Sequence, residues 1–306
     1  MGSRTTKPKE RERIVLLSGG VGGARLARGF AATTVDLTVI VNTGDDEEIY
    51  GLHISPDLDT VAYTLAGIEG PAGWGLDGDS FIVMDALAAM GVDTSFRLGD
   101  RDLANCLART LALSAGTTLS EFTGAMTKRL GVEARLLPAT NHRLRTMIHT
   151  DADEWITFQD YFVMRSHGER VTAIAFDGAE GAVPTPGVME AISAADRVVI
   201  GPSNPPLSIW PILAVPGMRQ ALASKHVTAV SPLIGAKAIK GPAAEVLESL
   251  GIGAGSTAIA AAYEGIIDTL VVDTTDAADA VDGVEIRATD THISSAEAAT
   301  RLALWL

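Results

Sequence analysis

Ile14-Val15-Leu16-Leu17-Ser18-Gly19-Gly20-Val21-Gly22-Gly23-Ala24-Arg25 is a four-residue apolar run that opens into four glycines within five positions. Continuous apolar residues without polar alternation read as a strand covered on both faces, as parallel strands are. Glycines directly after such a strand allow a tight turn into a helix and leave backbone N–H groups bare toward a phosphate. The same grammar repeats downstream. Residues 37–41 form a second apolar run, followed by Asn42-Thr43-Gly44-Asp45-Asp46. Further runs at 171–176, 197–200, 226–230 and 269–272 each end in a Gly, Pro, Ser or Asp cluster, with helical patterns over 187–195, 209–223 and 243–250. This alternation predicts an α/β fold with a doubly wound, mainly parallel, Rossmann-like sheet. Its ligand crevice is expected beyond the carboxyl ends of the strands.

Working outward, the chain has 306 residues, of which 47% are hydrophobic, enough for a substantial core. That size suits one α/β domain over 14–306. The alternation lapses over about 77–165, which reads as a mostly helical insertion. Helices are expected there at 80–90, 101–114 and 119–130, the last capped by Ser120, with Gly91 and Gly131 at helix-ending positions. Residues 1–13 are polar and basic-rich and read as a flexible leader. The apolar run that follows is too short for a signal sequence or a membrane span. A net charge of −14 argues against nucleic acid as the main partner. Cys106 is the single cysteine, so no intrachain disulfide can form and a cytoplasmic home is expected.

Neither familiar nucleotide fingerprint fits the first loop. A dinucleotide pattern begun at Gly20 puts Arg25 where a third Gly or Ala is needed, and no Gly-Lys-Ser/Thr follows. Four glycines still exceed what a bare turn requires, so Gly19, Gly20, Gly22, Gly23 and Arg25, with Asn42 from the second loop, are expected to hold phosphate. Asp45, Asp46, Asp57 and Asp59 read as one loop region after the second strand. Turn formation explains one or two of them. Four together repel unless a cation intervenes, and Mg²⁺ suits one or two carboxylates plus water and substrate phosphate. The six histidines show no paired ligand spacing. Gly201-Pro202-Ser203-Asn204-Pro205 and Lys240-Gly241-Pro242 follow later strands, making Ser203, Asn204 and Lys240 further anion-binding candidates.

Taken together, these segments resemble the CofD/FbiA family, the transferases that complete the phosphodiester of coenzyme F420. The resemblance rests on residues 18–25, Asn42 to Asp46, Pro56-Asp57-Leu58-Asp59-Thr60, Gly73-Trp74-Gly75-Leu76, Leu98-Gly99-Asp100-Arg101-Asp102, Phe158-Gln159-Asp160-Tyr161-Phe162-Val163, Gly201 to Pro205 and Lys240-Gly241-Pro242-Ala243, collinear over about 14–273. One departure stands at Pro138-Ala139-Thr140-Asn141, where family members often carry Pro-Met-Ser-Asp. The resemblance implies a guanylylated three-carbon phosphoacid as donor, the deazaflavin Fo as acceptor, GMP as leaving group and a homodimer. Lactyl, enolpyruvyl and glyceryl donors occur in the family, and no motif here reads that carbon. Mg²⁺ on Asp45 and Asp59 would bridge diphosphate oxygens, and Asp46 or Asp57 would accept the hydroxyl proton. Trp74, Phe81 and Met84 are candidates by position for a flat slot, with plain core packing as the commoner alternative for such residues. Two other classes stay open: a nicotinamide-dependent oxidoreductase, against which the broken fingerprint counts, and a non-catalytic nucleotide-sugar-binding regulator of the YvcK type.

Overall fold

A computed structural model describes residues 11–238, 241–276 and 280–306. The glycine turn does what its sequence dictates: β1 (Arg13–Ser18) runs through Gly19 into α1 (Gly20–Ala31), then β2 (Asp36–Val41) and α2 (Pro56–Ala66). Three helices follow, α3 (Ile82–Ala89), α4 (Asp100–Ser114) and α5 (Leu119–Arg129), before β3 (Arg135–Pro138). The second half alternates α6 (Val188–Ala194), β4 (Arg197–Ile200), α7 (Trp210–Ala214), α8 (Met218–Ala223), β5 (Val227–Val230), α9 (Ala243–Ser249), α10 (Gly255–Ala262), β6 (Thr269–Asp273), β7 (Glu285–Thr289) and α11 (Ala296–Trp305). The seven strands form one sheet in the order β7-β6-β5-β4-β1-β2-β3, parallel at every pairing. The doubly wound Rossmann-like reading therefore holds.

Alternate residues of β1 explain the two layers. Val15 and Leu17 join Ile40, Val198 and Ile200 against α6, α7, α8 and α10. Ile14 and Leu16 join Val39, Val41 and Val199 against α1, α2, α5 and α11. Strands apolar on both faces must be covered on both, and this sheet is. The C-terminal helix docks on α1, where a side chain at Gly29 would lie 2.3 Å from the Ala299 carbonyl oxygen. The Arg287 guanidinium sits 4.3 Å over the Trp305 ring, so the apolar tail is mostly accommodated within the chain. No helix among the described residues is long and apolar enough to cross a membrane.

Several expectations change in three dimensions. The run at 171–176 is a strand, Val171–Asp177, but it lies outside the parallel sheet. It pairs antiparallel with Arg145–Thr150, which also pairs with Trp155–Thr157. Only Val171 of that strand is fully buried, so its short apolar run belongs to a half-covered layer. Two sheet strands, β3 and β7, were not foreseen. Both lie at edges: β7 is partly exposed and admits Glu285 and Arg287, whereas β3 is buried past Arg135 but has only Leu136 and Leu137 between Arg135 and Pro138, too short for an apolar run. The region 77–165 contains the three expected helices, yet it also supplies β3 and two strands of the antiparallel layer.

Finer boundaries move as well. The cap of α5 is Thr118, not Ser120: the Thr118 hydroxyl accepts from Glu121 N–H, and the Glu121 carboxylate accepts from Thr118 N–H. Asn141, at the departure from the family pattern, accepts from Ser120 N–H at 2.8 Å and so supports the same helix end. The expected helix over 209–223 breaks into α7 and α8, because Pro216 lacks an N–H and Gly217 adopts φ +88°. The Pro56 to Thr60 segment is the first turn of α2 rather than a loop, with Pro56 at its opening position. Of the expected leader, residues 1–10 lie outside the described residues, and Arg13 already belongs to β1.

Candidate active site

The sheet order reverses at β1, which leads to β2 on one side and receives β4 on the other. Helices leave in opposite directions there, and the gap past the strand ends is the natural ligand crevice. A cavity of about 950 Å³ occupies that position. Gly19, Gly20, Gly22, Arg25, Asp45, Asp57, Asp59, Ser203 and Asn204 all line it. Residues separated by most of the chain thus line one cavity.

Each loop is tied to the next. Ser203 Oγ donates to the Gly19 carbonyl at 2.7 Å and accepts from Gly19 N–H at 3.2 Å, joining the β1 and β4 loops. Gly20 N–H donates to Asp57 Oδ1, joining α1 to α2. Asn42 lies behind the wall and orients the acids: its Nδ2 donates to Asp57 at 3.0 Å and Asp45 at 3.3 Å, while its Oδ1 accepts from Gly44 N–H at 2.7 Å. Asn204 lines the cavity, and its side-chain oxygen accepts from Leu207 N–H at 3.3 Å. Arg25 is anchored by a 3.2 Å bond to the Ile293 carbonyl.

Besides Asn42, two of the expected residues, Gly23 and Asp46, do not line the cavity. Gly23 packs α1 onto β1, since a side chain there would lie 2.3 Å from Ser18 Oγ and 2.8 Å from Ser203 Oγ. Gly22 lines the cavity but is also constrained by packing, with its missing side chain aimed at the Pro202 carbonyl oxygen, 2.1 Å away. Asp46 is not on the cavity wall. Its Oδ2 accepts from Ser55 Oγ at 3.0 Å and stands 3.0 Å from His53 Nε2, and its Oδ1 is buried without a partner among the described residues. Lys240 lies outside the described residues, although Gly241 and Pro242 line the cavity.

The acids on the wall are electrostatically strained. Asp45 is pushed well above the usual carboxylate range by burial and by the charges of Asp57 and Asp46. Burial lifts Asp57 to about 6, against the lowering effect of bonds from Asn42, Gly20 N–H and Asp45. Two buried carboxyls that bond each other require a shared proton or a cation between or beside them. Burial also raises Asp59, opposed mainly by Arg109. Both polar bonds to Asp59, from Arg109 and from Asn105 Nδ2 at 2.9 Å, fall on its Oδ1. Asp59 therefore keeps Oδ2 without a hydrogen bond among the described residues, an oxygen suited to a hard cation, and Asp45 lines the same cavity. The close group of possible ligand atoms among the described residues is a different one, Asp59, Asp102 and Cys106, within 4.8 Å of one another, but Arg109 packs into it and already supplies the positive charge.

Part of the cavity wall is apolar. Trp74, 59% exposed, lines it with Phe81, Phe96 and Leu98 from the insertion. Met84, expected in the slot, is instead fully buried with Ile54, Leu98 and Cys106, because it faces inward from α3. A second aromatic wall was not foreseen: Phe158 and Phe162 stack at 5.3 Å with planes 14° apart, both on the cavity. Their i,i+4 spacing was the available signal. Gln159 between them donates to the Asp45 carbonyl at 2.8 Å.

Residues 14–299 match the family model described as 2-phospho-L-lactate transferase CofD. The chain belongs to the CofD family. A phosphoenolpyruvate transferase of Streptomyces griseus is 46% identical over 89% of this chain and 89% of its own length. A 2-phospho-L-lactate transferase of Methanopyrus kandleri is 38% identical over 95% of each. Among solved structures, a UPF0052-family protein of Bacillus halodurans superposes with a TM-score of 0.64 at 17% identity, covering 97% of this chain and 100% of that one, a likeness of fold. In this CofD-family chain, every collinear segment that carried the resemblance contributes at least one residue to the same cavity, from Gly19 and Asp45 to Pro202 and Gly241.

Proposed function

We propose that this CofD-family enzyme transfers a phosphoenolpyruvyl group, or in second place a 2-phospho-L-lactyl group, from a guanosine diphospho donor to the deazaflavin Fo, releasing GMP and forming dehydro coenzyme F420-0 or coenzyme F420-0. The observation that supports the reading is a single cavity lined by the glycine loop, Arg25, the carboxyls of Asp45, Asp57 and Asp59, and the aromatic rings of Trp74, Phe158 and Phe162. The order of donors follows the relatives, 46% identity to a phosphoenolpyruvate transferase against 38% to a 2-phospho-L-lactate transferase. The terminal ribityl hydroxyl oxygen attacks the phosphorus bearing the three-carbon acid. The bond from that phosphorus to the GMP oxygen breaks, and the hydroxyl proton leaves to a base. Asp57 is on the cavity wall and so is better placed for that proton than Asp46. Catalysis at such a centre is chiefly alignment and charge neutralisation. Asp45 and Asp59 would hold Mg²⁺, whose chemistry when bound is to stabilise charge on diphosphate oxygens. Arg25 and the N–H groups opening α1 add positive potential beside them.

The test is incubation of the protein with Fo, Mg²⁺ and each of the three guanylylated donors, with mass analysis of products. GMP and an Fo phosphodiester are expected in equal amounts, with riboflavin a poor substitute for Fo. Donor binding without GMP release from any donor would replace the transferase by a nucleotide-binding regulator. The homodimer belongs to the same proposal; light scattering at micromolar concentration is expected to give twice the chain mass, and a monomer would remove it.

A further inference from the structure

Helix α4 belongs to the insertion, yet it reaches into the acid site. Asp102, Asn105 and Arg109 recur at i, i+3 and i+7, which puts them on one helix face. That face meets Asp59 and Tyr63, themselves i,i+4 on α2. Arg109, 1% exposed, pairs with Asp59 Oδ1 and donates through its other terminal nitrogen to the His53 carbonyl at 3.2 Å. Asn105 Nδ2 donates to the same Asp59 oxygen at 2.9 Å and lies 3.0 Å from Tyr63 OH. Tyr63 OH in turn donates to Asp102 Oδ1 at 2.9 Å. A buried arginine against a carboxylate is expensive unless the geometry is well satisfied, so such a network is a costly way merely to pack two helices. Its geometric consequence is specific. Both donors take Oδ1, which fixes the carboxylate plane and leaves Oδ2 without a hydrogen bond from the described residues, on a side chain that lines the cavity.

We propose that Asn105 and Arg109 are positioning residues that hold Asp59 with Oδ2 toward the cation, so that the inserted helix α4 sets the metal affinity of a site otherwise built by the Rossmann-like half. The proposal rests on the Mg²⁺ reading above. Outer partners that orient a metal-binding carboxylate are typically worth about 10–100-fold in metal affinity. Asn105 is the cleaner probe, because its amide makes two bonds at the site and carries no charge.

Mn²⁺ binding, read by the loss of its free-ion electron paramagnetic resonance signal in the presence of GDP, tests the idea. Asn105→Ala is expected to raise the Mn²⁺ dissociation constant about tenfold, with unchanged melting temperature and unchanged metal-free GDP affinity. Arg109→Lys, which keeps the charge but cannot bridge Asp59 and the His53 carbonyl in the same way, is expected to weaken Mn²⁺ by a similar factor. Wild-type protein that binds Mn²⁺ with both variants binding it equally well overturns the positioning role. Wild-type protein that fails to bind Mn²⁺ overturns the metal reading itself, and the two failures are distinguished by that control.

Discussion

Asp45→Asn and Asp59→Asn each lose at least about a hundredfold in turnover, equivalent to roughly 2.7 kcal/mol of transition-state stabilisation, and chelation of wild-type protein with EDTA abolishes turnover until Mg²⁺ is restored. The expectation follows from charge. A diphosphate brought beside buried carboxylates is repelled unless a cation bridges them, and an amide in place of either carboxylate weakens that bridge. Stability should move the other way for Asp45. Its carboxyl is buried beside Asp57 and Asp46, both of which disfavour its ionised form, so a neutral amide of the same shape relieves repulsion. Asp45→Asn is therefore expected to melt at or above the wild-type temperature. Asp59→Asn is expected to melt lower, because it leaves the buried Arg109 without its counter-charge. Calorimetric melting alongside steady-state assay checks both parts. Full turnover in EDTA, or variants that keep wild-type turnover, would end the metal assignment.

Gly22→Val is expected to fail first in folding and only then in binding. Sequence alone makes Gly22 a place where backbone approaches phosphate. The structure adds a nearer constraint, since a Cβ at Gly22 would sit 2.1 Å from the Pro202 carbonyl oxygen and 3.2 Å from its carbon. Those are backbone atoms of the β4 loop and cannot swing aside as a side chain can. Overpacking of this kind costs about 1–3 kcal/mol, and displacing the β4 loop would also loosen Ser203 from Gly19. A fall of at least about 2 kcal/mol in unfolding free energy is expected from denaturant titration, together with weaker GDP binding. Gly20→Ala separates the two effects. Its Cβ meets nothing closer than Asp57 Oδ1 at 3.9 Å, but φ there is +64°, so its cost is local backbone strain. A Gly22→Val protein that unfolds like wild type and loses only nucleotide affinity would show that phosphate approach, not loop packing, sets this glycine.

The sequence by itself determined the central strands, the glycine turn and the acidic set. Residues 14–17, 37–41, 197–200, 226–230 and 269–272 are apolar because strands buried on both faces must be, and that demand is written within four or five residues. The acids are legible for the same reason: carboxylates crowded beside a glycine turn are costly locally, whatever the rest of the chain does. Only the tertiary structure decided what touches them. Asp59 and Arg109 are 50 residues apart, and neither reveals the other until the insertion folds back on α2. Gly22 looks like a ligand glycine until the β4 loop arrives against it. Residues 171–177 read as a strand but not as one outside the parallel sheet, and β7 was not read at all, for the complementary reason. One is apolar but covered on one face, the other polar because it closes an edge, and whether a strand is central, edge or half-covered is settled by long-range pairing rather than by its own residues.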